Sequence, residues 1–343
     1  MARIAPGRRA PPSLEGSVLT RDLTVAGERW WKGRRLSAAD LGALASDPSA
    51  LPTGGVTVLV PAADEVHEDD AGLRLADAVA GPGVHRRGPA ESRVDLLADH
   101  PGVLHVRLAA LERLDRIDTL EVFTAFDGTV VDAGDLVASV KVAPHLVPEA
   151  TLERAEAIAR RAAPIVRVAP FQPQRVAVVV KEAVRALARQ RFEEAVRAKV
   201  ESLGSTVQSI AYVADDTAAV ERALKDARTA DLILTAGAAS TDPADAVFVA
   251  LERLGGRVVR RGVPAHPGSM LWLGRLGRAS VMGLPTCGAY SRATAADLLL
   301  PRLLTGERAS ARSVASLGHG GILTRNMRFR FPRYARQLDA PEG

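Results

Sequence analysis

Cysteine is almost missing from this chain of 343 residues, which holds one, Cys287. A single thiol excludes an intramolecular disulfide and any cysteine-rich zinc site. The seven histidines show none of the H-x3-H or H-E-x-x-H spacings that gather imidazoles around a metal. Aromatic residues make up only 4% of the chain, and the net charge of +5 is small for its length. Basic residues are interspersed with acids along the expected helices, the pattern of solvated helix faces and not of a nucleic-acid groove. One stretch, residues 325–336, mixes arginine with aromatic side chains, and a short basic tail alone is a weak nucleic-acid footprint. No apolar run is long enough to span a bilayer, and the basic first residues lack the apolar stretch of a secretory signal. These absences predict a cytoplasmic protein with no nucleic-acid partner and no membrane segment.

Hydrophobic residues at 47% and charged residues at 25% describe a globular chain with a real core, and its length calls for two or three domains. Residues 1–15, rich in Pro, Arg and Gly, read as a disordered leader. Residues 16–64 form a small α+β unit with strands at 17–25 and 56–60 and a helix opened by Ser37, a good N-cap. Residues 65–150 form a mixed α+β or barrel-like unit: an amphipathic helix over 69–80, then short alternating segments. A helix and linker occupy 151–172. The α/β domain proper spans 173–310, and a basic tail fills 311–343.

Within 173–310 the texture is distinct. Arg175–Val180 (RVAVVV) is a continuous β-branched run, as expected of a strand buried on both faces. Strands expected at 206–213, 231–235, 257–263 and 279–282 alternate with helices at 182–203, 217–228, 244–254 and 290–304. That alternation specifies a parallel sheet covered on both faces.

Ligands of such sheets bind beyond the carboxyl ends of the strands, which selects three loops. The first holds Thr235, Gly237, Ala238, Ala239, Ser240, Asp242 and Asp245. The second holds His266, Pro267, Gly268 and Ser269. The third holds Gly283, Pro285, Thr286, Cys287, Gly288 and Ser291. Small residues let backbone N–H groups approach a ligand, and the first and third loops each open a helix whose free N–H groups attract phosphate. Asp242 and Asp245 stand three apart at one such start, where a carboxylate either caps the helix or holds Mg²⁺ that also meets a phosphate. Cys287 is read as a small packed thiol, since no histidine adjoins it in sequence. His266 and His319 lie where they can reach a ligand, and Trp30-Trp31 reads as a packing pair.

The run Asp231-Leu232-Ile233-Leu234-Thr235-Ala236-Gly237-Ala238-Ala239-Ser240-Thr241-Asp242-Pro243-Ala244-Asp245 resembles the D-hydrophobic-T-T-G-G-x-S-x-G-x-x-D signature of molybdopterin-binding domains. These occur in molybdopterin molybdotransferases, molybdopterin adenylyltransferases and gephyrin. The likeness continues through residues 261–268, similar to the family's G-V-x-x-x-P-G segment, and into Gly283-Leu284-Pro285, similar to its G-L-P-G-N-P loop. Ser240, Asp245, Pro267 and Gly268 match. Ala238 and Asp242 stand where the family has glycine, and Thr286-Cys287-Gly288 replaces its Gly-Asn-Pro. The family's T-G-D-E becomes Lys181-Glu182-Ala183-Val184, and its Asp-Ser-Asn becomes Gln190-Arg191-Phe192. Residues 16–45 resemble a molybdotransferase segment, while the A-M-D-G-Y-A hallmark has no counterpart.

The resemblance implies a three-layer molybdopterin-binding domain serving molybdenum-cofactor biosynthesis, here in a divergent member. The activity it implies is a transferase on molybdopterin, inserting molybdate or handling a nucleotide-activated pterin, with Asp245 and Asp242 as catalytic residues and Asp245 as the Mg²⁺ ligand. Lys181 and Arg191, in place of family acids, would bind anions at the pocket rim. A cofactor carrier or regulatory protein is the alternative, and a pyridine-nucleotide deamidase of the same fold ranks below it. The resemblance also implies a homodimer, and a molybdoenzyme or cofactor-maturation partner is a further expectation.

Overall fold

The computed structural model describes residues 1–181, 186–238, 240–284 and 293–336. The chain divides into two compact units. The first holds Met1–Asp99, His105–Ala125 and Ala133–Val168; the second holds His100–Leu104, Phe126–Asp132 and Ala169–Gly343.

In the first unit, Ala2–Ile4, Val56–Leu59 and Val18–Leu19 form a three-stranded sheet. The segment expected to be a disordered leader therefore begins with a strand, paired antiparallel from Ala2↔Val58 to Ile4↔Val56. Ile4 on that strand, and Leu14 further along the segment, are buried with Leu19, Leu23, Trp30, Leu36 and Leu44. Ser37 caps helix Ala38–Ser46 in a capping box with Asp40, as its position predicts. A four-stranded antiparallel sheet follows, ordered Leu120–Thr124, Leu136–Val142, Arg93–Ala98, Val84–Ala90. Helices Glu68–Val79 and Glu149–Ala162 are tied by Arg74, which donates to Glu149 at 2.7 Å and to Glu156 at 2.9 Å. The unit is thus a strand-rich α+β assembly.

In the second unit the elements that matter are β1 (Arg175–Lys181), α1 (Ala186–Glu201), β2 (Thr206–Val213), α2 (Thr217–Asp226), β3 (Leu232–Ala236), α3 (Ala246–Arg253), β4 (Arg257–Arg261), β5 (Trp272–Leu276), β6 (Ala279–Gly283) and α4 (Ala295–Leu304). The six strands form one sheet in the order β2-β1-β3-β6-β5-β4. Strands β2, β1, β3 and β6 run parallel, whereas β5 is antiparallel to both β6 and β4. The expected parallel sheet is present, with one antiparallel strand that the sequence reading passed over.

The β-branched run of β1 shows why both faces are covered. Val176, Val178 and Val180 enter one core with Leu232, Leu234, Phe192, Val196 and Leu299. Ala177 and Val179 enter the other with Ile233, Val220, Leu224, Val247 and Leu251. Alternate residues of one strand therefore serve opposite cores, each fully buried valine contributing about 1.5–3 kcal/mol of apolar transfer. Helices α1 and α4 cover one face and α2 and α3 the other, giving three layers.

The segment after α4, expected to be a basic tail, is folded as far as the described residues run. Val314, Leu317, Leu323, Phe331 and Ala335 join the α1/α4 core.

Candidate functional site

The carboxyl ends of β1, β2 and β3 meet at one buried ammonium. Lys181 closes β1, paired with Val213 at the end of β2, and its neighbour Val180 pairs with Ala236 at the end of β3. Its Nζ donates to Asp245 Oδ2 at 2.7 Å and stands 2.9 Å from Asp215 Oδ1. The Lys181 and Asp245 side chains are 6% and 2% exposed, and that of Asp215 is 71% exposed. Burial pulls the Lys181 ammonium down, but hydrogen bonds to Asp245 and Asp215 outweigh it and hold the group above the usual lysine value.

Asp245 is also the N-cap of α3: Oδ1 accepts from the backbone N–H of Val247 at 2.9 Å. Asp242 accepts from the N–H of Ala244 at 2.8 Å and is exposed. Both aspartates thus satisfy N–H groups at the start of one helix. Gly237, with φ +85°, turns the chain out of β3, which only glycine does without strain.

Magnesium is implied at Asp245 by the family resemblance. It does not fit this arrangement, because each oxygen of Asp245 already accepts a hydrogen bond, one of them from a cation. Among the described residues no group of three His, Cys, Asp or Glu side chains is placed to hold a metal. A divalent ion would have to displace Lys181.

The second loop is pinned from two sides. The N–H of His266 donates to Gly321 O at 2.7 Å, and the N–H of Leu323 donates to His266 O at 2.7 Å. Gly321 comes so close that a Cβ there would lie 2.3 Å from Pro264 O and 2.7 Å from Leu317 O. On the other side, the first N–H of α4, from Ala295, donates to Pro267 O at 2.9 Å. A Cβ on Gly268, at φ +104°, would fall 2.8 Å from that nitrogen. Helix α4 is capped in turn by Thr294 in a capping box with Asp297, and Asp297 is buried against the ammonium of Lys199.

The ends of β3, β6 and β5 carry unusual buried polarity. Thr235, Gly283 and Trp272 are register neighbours across β3, β6 and β5. The Thr235 hydroxyl and the Trp272 indole N–H are buried, with no hydrogen-bond partner among the described residues. Trp272 packs edge-on against Phe248, ring centres 4.9 Å apart, and occupies the space that a side chain on Gly283 would need. Unpaired buried polar groups are rare and mark places where a polar guest gains more than it would elsewhere.

The structure therefore brings Lys181 and Asp245 into contact, sets Thr235 beside Gly283, and docks Pro267 and Gly268 on α4. His266 is exposed, Ser240, Ser269, Gly237 and Ala238 are half-buried, and Arg191 is exposed on α1. Ala239, Pro285, Thr286, Cys287, Gly288 and Ser291 lie outside the described residues. Sequence reasoning missed Asp215 and Trp272. Paired acids directly after a predicted strand, Asp215-Asp216, were the available signal for the first. It also missed, in the first unit, a buried Glu68 that accepts from Ser92 at 2.5 Å and pairs with His145 at 2.8 Å. They line a cavity of about 680 Å³. Both Glu68 oxygens are engaged there, and Gly33 is packed so tightly that a Cβ would meet Glu68 at 2.2 Å.

No helix among the described residues is long and apolar enough to cross a membrane. No curated protein matches the chain. Among solved structures, a molybdopterin biosynthesis MoeA protein from Pyrococcus horikosii is similar at 15% identity and a TM-score of 0.30, covering 74% of this chain and 81% of that one. A structure described as a putative molybdenum cofactor biosynthesis protein from Corynebacterium diphtheriae is similar over a narrower span, at 15% identity and a TM-score of 0.28, covering 39% of this chain and 97% of that one. A MogA structure is similar at 21% identity and a TM-score of 0.25, covering 43% and 95%. The family model described as a probable molybdopterin binding domain matches residues 175–305.

Proposed function

We propose that the second unit binds molybdopterin, or the molybdenum cofactor built on it, at the carboxyl ends of β1, β3 and β6, and that the chain serves molybdenum-cofactor biosynthesis by holding this ligand. The match of residues 175–305 to the family model supports the ligand class. The observation that carries the holding role is the Lys181–Asp245 contact, which fills the place where metal-dependent chemistry would be centred. The polar edge of the pterin ring finds donors in the buried Thr235 hydroxyl and Trp272 N–H, at strand ends where loop backbones approach closely.

A transferase acting on molybdopterin is the second reading, favoured by the presence of Ser240 and Asp245 at matching positions of the signature. It predicts turnover with molybdate or a nucleotide, which the holding role does not. The homodimer and a molybdoenzyme partner belong to the same proposal. Light scattering that gives a monomer mass across micromolar concentrations would contradict the dimer.

The test is an equilibrium titration with molybdopterin followed by tryptophan emission. Saturable binding with one site per chain is expected, weakened by Gly268→Val, whose side chain would collide with Ala295. Absence of saturable binding refutes the proposal, and tight binding of a pyridine nucleotide in its place would move the site to the deamidase class.

A further inference from the structure

We infer that the Lys181 ammonium takes the place of a divalent cation between Asp245 and Asp215, so that this site works without metal and becomes a metal site only when the ammonium is removed. The inference concerns the same strand ends as the proposed pterin site, but it rests on the ion cluster and not on pterin binding.

Three elements converge on one point. Lys181 reaches it from the end of β1, Asp215 from the loop between β2 and α2, and Asp245 from the N-cap of α3. Carboxylate oxygens of the two aspartates lie 2.9 Å and 2.7 Å from Nζ, so both face the same small volume from different sides. Asp245 is almost fully buried, and a carboxylate removed from water requires a countercharge within contact distance. An ammonium and a hard divalent ion both meet this need with oxygen partners. Mg²⁺ bonds oxygen at about 2.0–2.1 Å, inside the volume Nζ fills, so the two exclude one another.

Charge separates the two cases. One lysine against two aspartates leaves the cluster one unit negative, whereas a divalent ion would neutralise it. A negative cluster gives no foothold to a phosphate at that point, and two of the three Lys181 N–H groups face carboxylates. Displacing Lys181 to admit metal would strand a buried ammonium, so Mg²⁺ at physiological levels does not compete.

The test uses Mg²⁺ and Mn²⁺ alone, on the full chain, by calorimetry and by the electron paramagnetic resonance signal of bound Mn²⁺. The unsubstituted protein is expected to show no saturable binding at this site. Lys181→Ala is expected to bind the ion at least about tenfold more tightly than the unsubstituted protein, a difference of about 1.4 kcal/mol. Lys181→Ala/Asp245→Asn should lose that gain. Lys181→Gln, which keeps most of the side-chain volume, serves as the second variant should the alanine form not fold. Metal binding by the unsubstituted protein that Asp245→Asn abolishes would overturn the inference, and so would a folded Lys181 variant with no gain. Because the probe is metal alone, failure of pterin binding leaves the outcome readable, and the reverse also holds.

Discussion

Asp245→Asn separates the two duties of one side chain. Asn and Asp are about equally good N-caps, so the hydrogen bond from Val247 survives the change at almost no cost. What is lost is the charge facing Lys181. Removing one member of a buried ion pair costs about 3–5 kcal/mol, because the remaining charge is left without compensation. Here Asp215 stays 2.9 Å from the ammonium, and being 71% exposed it offsets only a part. The expected loss is therefore at the lower end, about 3 kcal/mol. For a unit of 150–250 residues that lowers Tm by roughly 6–12 °C. Lys181→Met should cost a similar amount, since it strands the Asp245 carboxylate instead. Urea denaturation of both single variants and the double variant closes the cycle, with a coupling of about 2 kcal/mol expected between the two sites. Single variants within about 0.5 kcal/mol of the unsubstituted protein, with additive effects, would refute the reasoning and return both residues to an ordinary surface role. Asp242→Asn is the internal control: its exposed carboxylate serves only the Ala244 N–H, and its stability should not move.

Three further outcomes follow from the geometry. The folded-state pKa of Lys181 lies above the ordinary 10.5, so the stability it confers is complete below that pH and falls as pH rises through the folded value; the stability gap between the unsubstituted protein and Lys181→Met should hold up to about pH 10.5 and narrow beyond it in alkaline melts. Gly283→Ala would place a Cβ 1.8 Å from Trp272 Nε1, so a loss of at least about 1–3 kcal/mol with a changed near-ultraviolet tryptophan signal is expected, and unchanged spectra would contradict the packing described. Gly321→Ala should detach residues 321–323 from the second loop, read as faster hydrogen exchange at the His266 and Leu323 amides, and full protection would show that the close approach to Pro264 O is not as described.

Much of the second unit was legible because its signals are local. The β-branched run 175–180 needs two apolar faces, and the two cores that receive alternate residues of β1 supply them. The antiparallel β5 was missed because Gly277-Arg278 is an uncommon pair for a two-residue hairpin turn, although Gly277 at φ +60° performs the turn that pair permits. The tail was misread because arginines dominate its composition, while a few side chains, Val314, Leu317, Leu323 and Phe331, decide where it packs. At the strand ends, sequence reasoning found Asp245 and Lys181 separately and gave one to a metal and the other to an anion. They are 64 positions apart, and no periodicity reports that two such residues meet. Only the register of β1 against β3 brings them together. The cap at Asp245 could be read from its place before a helix, whereas its countercharge belonged to the topology.

The central claim is that the second unit holds a molybdopterin-class ligand, and the most direct measurement is of what the protein carries from the cell. Protein purified from a host that makes the cofactor is denatured and oxidised, and the fluorescent pterin products are separated and quantified against protein. The account predicts a pterin product in a fixed ratio to chain that falls in Gly268→Val. No pterin in the extract, together with none retained after incubation with molybdopterin, would contradict it.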